Sequence, residues 1–240
     1  MNTPPSPPIQ LDVVIPIHNN LRYLATAVDS ALAQLGADVH VTVIDDGSDE
    51  PVLDEVNSWK NERVTVLGHE ERRGIGAARN SGAQAGNSDW LAFLDADDCW
   101  PEDRTQSLLA ELHDSPEAVA FGHILNFPAG DPTPDPKILS LAEVKELPIA
   151  TCAGGMLLRR ATFDQIGMFD EHLAVGEFIE WMMRARTTGI DEHVVPSVSL
   201  LRGIHSESTT RKTALYGDYL AVVARVRAAN ASRGDRGRPS

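Results

Sequence analysis

The sequence predicts an α/β fold built on a mainly parallel sheet flanked by helices, and three features of its N-terminal half point there. Short β-branched runs alternate with segments of helical periodicity. The runs are continuously apolar, as in strands covered on both faces. Three of them end abruptly in polar groups, in "VVIPIHNN", "VTVIDDGS" and "LAFLDADD". Such alternation implies right-handed βαβ units, and ligands of such sheets sit beyond the carboxyl ends of the strands.

In chain order, "LDVVIPI" (11–17) reads as a strand. Residues 20–35 place Leu21, Leu24, Ala25, Val28, Ala31, Leu32 and Leu35 on one stripe, which predicts a helix. A strand over 39–48, a helix from Pro51, a strand over 63–69 and a small-residue helix over 74–86 follow. "WLAFLDADD" supplies a fourth strand. Beyond Pro101 the pattern predicts a helix over 104–114, a strand over 118–127 and a proline-broken loop over 128–137. A strand leading into a helix over 154–167, a helix over 176–189, an extended segment over 193–205 and a last helix over 213–229 complete the chain. The ends, 1–9 and 230–240, are rich in Pro, Gly, Ser or Arg and are expected to be disordered.

The 240 residues suffice for a full core, and 42% hydrophobic with 23% charged residues is ordinary for a globular protein. A formal net charge of -14 argues against nucleic acid or anionic membrane as the main partner. Two cysteines make no disulfide framework, which fits a reducing cytoplasm. No signal peptide and no membrane-spanning run is read from the sequence.

Three constellations carry candidate chemistry. Asp95 and Asp97 stand two apart at a strand end, where side chains share a side, and two such carboxylates suit a hard divalent cation. Taken alone, the pair is a weak motif that a solvated acidic turn explains better. Asp46, in "IDDGS", is either turn chemistry or an acceptor for a nucleobase edge. "RRGIGAARN" places Arg72, Arg73 and Arg79 near a glycine-rich helix start that favours anions, without a dinucleotide or Walker pattern.

The order and spacing of "VVIPIHNN", "VTVIDDGS", "RRGIGAARNSG" and "LAFLDADD", continued by "GGMLLRRATFDQIGMFDE", resemble the family-2 inverting glycosyltransferases over roughly residues 11–205. The resemblance implies a single-domain A-type glycosyltransferase fold over 10–229, with a Rossmann-like nucleotide-binding half (10–100) and an acceptor-side half (101–212). It implies a nucleoside-diphosphate sugar as donor, with UDP the commonest carrier, and Mn²⁺ or Mg²⁺ as cofactor. Pro16, Ile17 and His18 would then lie against the nucleoside, and Asp46 would meet the base. Gly74 and Arg79 would approach the phosphates, Asp95 would face the ribose or the metal shell, Ala96 would line the nucleotide-sugar site between them, and Asp97 would ligate the metal.

One position departs from the family. An acidic Glu-Asp pair usually opens a late helix, its Asp serving as general base, but "VGEFIEW" has Glu177 followed by Phe178. The base would then be Glu177 or, one turn on, Glu180, although Arg184 stands four residues later to pair with the latter. The late "LLRGIH" resembles a variant with R-x-x-H, in which His205 would be a further metal ligand and Arg202 a phosphate contact. Loss of the usual Asp leaves a second possibility, a sugar-nucleotide-binding scaffold without turnover. It also admits an acceptor such as a thiol that needs little base help. The acceptor is expected to be a glycan precursor, a small metabolite or a peptide.

Overall fold

The computed structural model describes residues 8–205. The helix expected over 213–229, the tail over 230–240 and most of the segment 1–9 lie outside the described residues. The described residues form seven strands and seven α-helices, alternating strictly in the first half: β1 (Ile9–Ile17), α1 (Leu21–Leu32), β2 (Ala37–Asp45), α2 (Val52–Ser58), β3 (Val64–Gly68), α3 (Ile75–Ala85) and β4 (Trp90–Phe93). They continue as α4 (Arg104–Glu111), β5 (Val119–Pro128), α5 (Leu141–Glu146), β6 (Leu157–Arg159), α6 (Arg160–Ile166), α7 (Glu177–Thr187) and β7 (Glu192–Ile204).

One sheet holds all seven strands in the order β3-β2-β1-β4-β6-β5-β7. β1 pairs in parallel with β2 and β4, β2 with β3, and β5 with β7, while the short β6 runs antiparallel to β4 and β5. The continuous apolar runs follow from burial on both faces. Val13 and Ile15 of β1 join one core cluster with Leu24 and Val28 of α1, and Val14 between them joins the other. That second cluster is aromatic, with Phe93, Phe163, Phe169, Phe178 and Trp181 mutually packed. α3 lies close on β1 because Gly82 has no side chain; a Cβ there would come within 2.2 Å of Val14 Cγ1.

Two features differ from the sequence reading. The fourth strand stops at Phe93, and Asp95–Asp97 occupy a turn closed by Asp98 N–H donating to Asp95 O at 3.0 Å. β4 pairs with β6 only through Trp90–Ala92, so no ladder extends as far as the carboxylates. The segment after the proline loop also forms α5, whose start is a capping box between Ser140 and Glu143.

Candidate functional site

The carboxyl ends of β1 and β2 are laced together. Asp46 N–H donates to Ile17 O at 2.8 Å, and His18 Nδ1 lies 3.0 Å from Asp46 O. Pro16 and Ile17 are buried at the end of β1, and His18 is half-buried. The next residues, Asn19 and Asn20, both adopt left-handed backbone, with φ of 61° and 64°. Asparagine tolerates this region better than most non-glycine residues, and two in succession persist where the surroundings hold them. Here the β2–α2 loop does so: Asn19 N–H donates to Ser48 Oγ, Asp49 N–H to Asn19 Oδ1, and Leu21 N–H to Glu50 Oε2.

Asp46 is 3% exposed. Its Oδ1 accepts the Arg73 N–H and the His69 Nδ1–H, each at 2.8 Å, and its Oδ2 accepts the Gly74 N–H at 2.8 Å. Burial pushes this carboxyl's pKa up, but the Arg73 and Gly74 N–H groups and the His69 ring outweigh that and hold it below its ordinary value. Gly74 has φ of 99° with open space where a Cβ would stand, so its backbone is approachable from outside.

α3 then delivers Arg79 into the interior, 4% exposed. Its guanidinium donates to Asp95 Oδ1 at 2.7 Å and to Glu177 Oε1 at 2.5 Å. Burial disfavours its charge, yet Asp95 and Glu177 outweigh this and keep the cation firmly protonated. Arg79 thus joins the D-A-D turn to the start of α7. Ala96, inside the turn, is buried.

Asp97 Oδ2 lies 2.8 Å from His205 Nε2, so the strand-end carboxylate and the late histidine meet. Burial and the neighbouring Asp95 raise the Asp97 carboxyl above its ordinary value, with His205 pulling the other way. The contact is imposed by the backbone after the turn. Cys99 and Leu201 exchange N–H···O bonds at 2.9 and 3.0 Å, and Gly203 N–H donates to Asp98 Oδ1 at 3.0 Å. Arg202, on the same strand, donates to Cys152 Sγ at 3.4 Å. Among the described residues no group of three or more His, Cys, Asp or Glu could hold a metal. Asp97 and His205 nevertheless fit a divalent cation completed by substrate oxygens, since Mg²⁺ is usually held by one or two carboxylates plus phosphate, and imidazole suits transition metals. A carboxyl whose ionisation is disfavoured by burial and by a like charge gains from such a cation.

Glu180 is not brought to this cluster. Both its oxygens accept from Arg184, whose guanidinium also donates to Ile166 O and Met168 O, so it belongs to a clamp between α6 and α7. Phe178 turns into the aromatic core, edge-on to Phe121 and stacked on Trp181. The sequence reading passed over two participants, His69 and the Asp98 contact to β7. A single histidine closing the strand expected over 63–69 was the available signal for His69.

Comparison with known proteins gives the family and the fold. Residues 12–176 match the family described as glycosyl transferase family 2. The pre-mycofactocin glycosyltransferase of Mycobacterium tuberculosis is 30% identical over 200 residues, covering 78% of this chain and 41% of the relative. The succinoglycan biosynthesis protein ExoO of Rhizobium meliloti is 32% identical over 111 residues, covering 46% and 32% respectively. The chain spans under half the length of these relatives. Among solved structures, S. aureus TarS 1-349 in complex with UDP-GlcNAc superposes with a TM-score of 0.70 at 18% identity, over 91% of this chain and 65% of that one. GalNAc-T7 with UDP, GalNAc and Mn²⁺ superposes with a TM-score of 0.67 at 22% identity, over 90% and 48%. These likenesses establish the shared glycosyltransferase fold. The match across well over half of its length places the chain in glycosyl transferase family 2.

Proposed function

We propose that this chain is a metal-dependent, inverting glycosyltransferase that moves a sugar from a UDP-sugar to an acceptor nucleophile. The observation that carries the reading is the Arg79 bridge between Asp95 and Glu177, which joins a nucleotide-side turn to the start of the acceptor-side helix. TarS bound to UDP-GlcNAc and GalNAc-T7 bound to UDP and Mn²⁺ support the choice of donor and cation.

In this reading Pro16, Ile17 and His18 flank the nucleoside, and Asp46 accepts an N–H from the base. Gly74 gives the phosphates backbone access, Arg79 orients Asp95 and Glu177 beside them, and Asp95 and Ala96 border the ribose. Asp97 and His205 would hold Mn²⁺ or Mg²⁺, which would supply Lewis-acid stabilisation of the charge on a leaving diphosphate. The acceptor attacks the anomeric carbon on the face opposite the diphosphate, whose bond to that carbon breaks. Glu177 takes the acceptor proton: Arg79 holds its Oε1, while Oε2 accepts no hydrogen bond among the described residues. Glu180, held by Arg184, keeps α7 in place. The free thiols Cys99 and Cys152 suit a cytoplasmic setting.

UDP release from a panel of UDP-sugars with Mn²⁺, in the presence of a panel of sugar, small-alcohol, thiol and peptide acceptors, for wild type and Glu177→Gln, tests the assignment. Release by wild type that falls at least about 100-fold in the variant, with UDP binding retained, supports it. Phe178, standing where the family usually carries its general-base Asp, favours a second reading, a sugar-nucleotide-binding scaffold. UDP binding without release from any sugar in wild type selects that reading.

A further inference from the structure

His69 is unassigned in the reading above, yet it touches the residue on which base recognition rests. Its backbone N–H donates to Asp45 O at 2.8 Å, fixing it at the end of β3. Its ring lies between Asp46 Oδ1 at 2.8 Å and Ser81 Oγ at 2.9 Å. Only 10% of the side chain is exposed.

The chemistry of the partners settles the ring's orientation. An ionised carboxylate only accepts, so Nδ1 carries a proton. The Ser81 hydroxyl can donate to Nε2 or accept from it, so both contacts survive whether or not Nε2 is protonated. Asp46, His69 and Ser81 stand in the order of a hydrolytic triad. Ser81, however, lies within α3, where backbone N–H groups are spent on the helix itself and none converges as an oxyanion hole. The arrangement therefore positions a group.

An ionised carboxylate offers about four acceptor directions. On Asp46, Arg73 N–H and His69 fill Oδ1, and Gly74 N–H takes one direction of Oδ2. One acceptor direction, on Oδ2, remains among the described residues. We infer that His69 is a specificity-determining positioning residue: by occupying Oδ1 and anchoring to Ser81, it fixes the Asp46 plane so that Oδ2 meets bases presenting a ring N–H. Uracil, thymine and guanine present such a donor at a ring nitrogen of the pairing edge, whereas cytosine presents there a lone pair that an ionised carboxylate repels, and donates only through its exocyclic amino group, displaced from that position. This rests on the proposal that Asp46 meets the base.

Calorimetric titrations with UDP, CDP and inorganic pyrophosphate, each with Mn²⁺, test it in wild type, His69→Asn, His69→Ala, Ser81→Ala and Asp46→Asn. Asn places an amide N–H where Nδ1 stands, so His69→Asn keeps UDP affinity within about 3-fold of wild type. His69→Ala weakens UDP about 10-fold and narrows the UDP-over-CDP preference, with pyrophosphate unchanged. Ser81→Ala shows the same trend more weakly. Wild-type UDP-over-CDP preference in His69→Ala, or equal losses of UDP and pyrophosphate, overturns the inference. If Asp46→Asn loses UDP while His69→Ala does not, the inference alone fails. If Asp46→Asn binds UDP normally, the base-contact reading fails and the inference with it.

Discussion

The guanidinium of Arg79 and the carboxylate of Glu177, 98 residues apart in sequence, form a buried ion pair at 2.5 Å. Both side chains are less than a tenth exposed, and the second arm of Arg79 reaches Asp95 at 2.7 Å. A planar fork can serve two carboxylates at once, whereas an ammonium is a point charge on a flexible stem. Arg79→Lys therefore keeps the charge and loses the bridge. Removing the charge altogether, in Arg79→Met, leaves Glu177 buried and uncompensated, at a cost of about 3–5 kcal/mol in urea unfolding. The Lys variant falls between Met and wild type.

Glu177 and Glu180 are one helical turn apart and separable by experiment. Glu177→Gln keeps side-chain shape and cannot take a proton, so turnover falls by about 10²–10⁴ with UDP affinity retained. Glu180→Gln weakens the Arg184 clamp and lowers stability by about 1 kcal/mol, with turnover within a few-fold of wild type. Steady-state kinetics with parallel urea melts separate the two outcomes.

Asp98 gives a pH dependence of stability in the metal-free protein. Burial first, then the nearby Asp95 and Asp97, pushes its carboxyl well above the ordinary value of 3.8. The native state thus holds this proton more tightly than the unfolded chain, and ionisation of Asp98 opposes folding. Its unfavourable contribution grows as pH rises above 3.8 and is complete above the raised native pKa. Asp98→Asn can still accept from Gly203 N–H and cannot ionise. Its stability advantage over wild type, measured in EDTA, is predicted to rise with pH across that window and vanish below it.

The closeness of α3 to β1 depends on Gly82. A Cβ at that position meets Val14 Cγ1 at 2.2 Å and Cγ2 at 2.9 Å, both in the middle of the core. Gly82→Ala is predicted to cost about 1–3 kcal/mol by thermal unfolding, despite the better helix propensity of alanine. Because α3 also carries Arg79, the variant should lose activity beyond its loss of stability.

The first half of the fold was legible because local pattern and tertiary structure agree there. β1 and β4 are apolar runs buried on both faces, β2 is buried toward its carboxyl end, β3 is a half-exposed edge strand, and each helix between them shows its stripe or its small residues. β6 was harder: only three residues long, it is inserted between β4 and β5 by antiparallel pairing to residues distant in sequence, which no periodicity encodes. α5 carried a readable signal, Ser140 followed by Glu143, hidden behind the proline loop. At the site, residue types and order exposed Asp46, Arg79, Asp95 and Asp97 as candidates. The bridge from Arg79 to Glu177 and the ring of His69 against Asp46 depend on three-dimensional placement alone. The pairing of Glu180 with Arg184 was visible as helical spacing.

Thermal unfolding with UDP, with and without Mn²⁺, in wild type and Asp97→Asn tests the proposed metal-dependent nucleotide-sugar site most directly. UDP at a hundred times its dissociation constant should stabilise by about 2.7 kcal/mol, raising the midpoint by roughly 5–10 °C for a chain of this size. The account predicts that shift for wild type with Mn²⁺, little without the metal, and none in Asp97→Asn. An equal shift with and without Mn²⁺, or one that survives in Asp97→Asn, would contradict it.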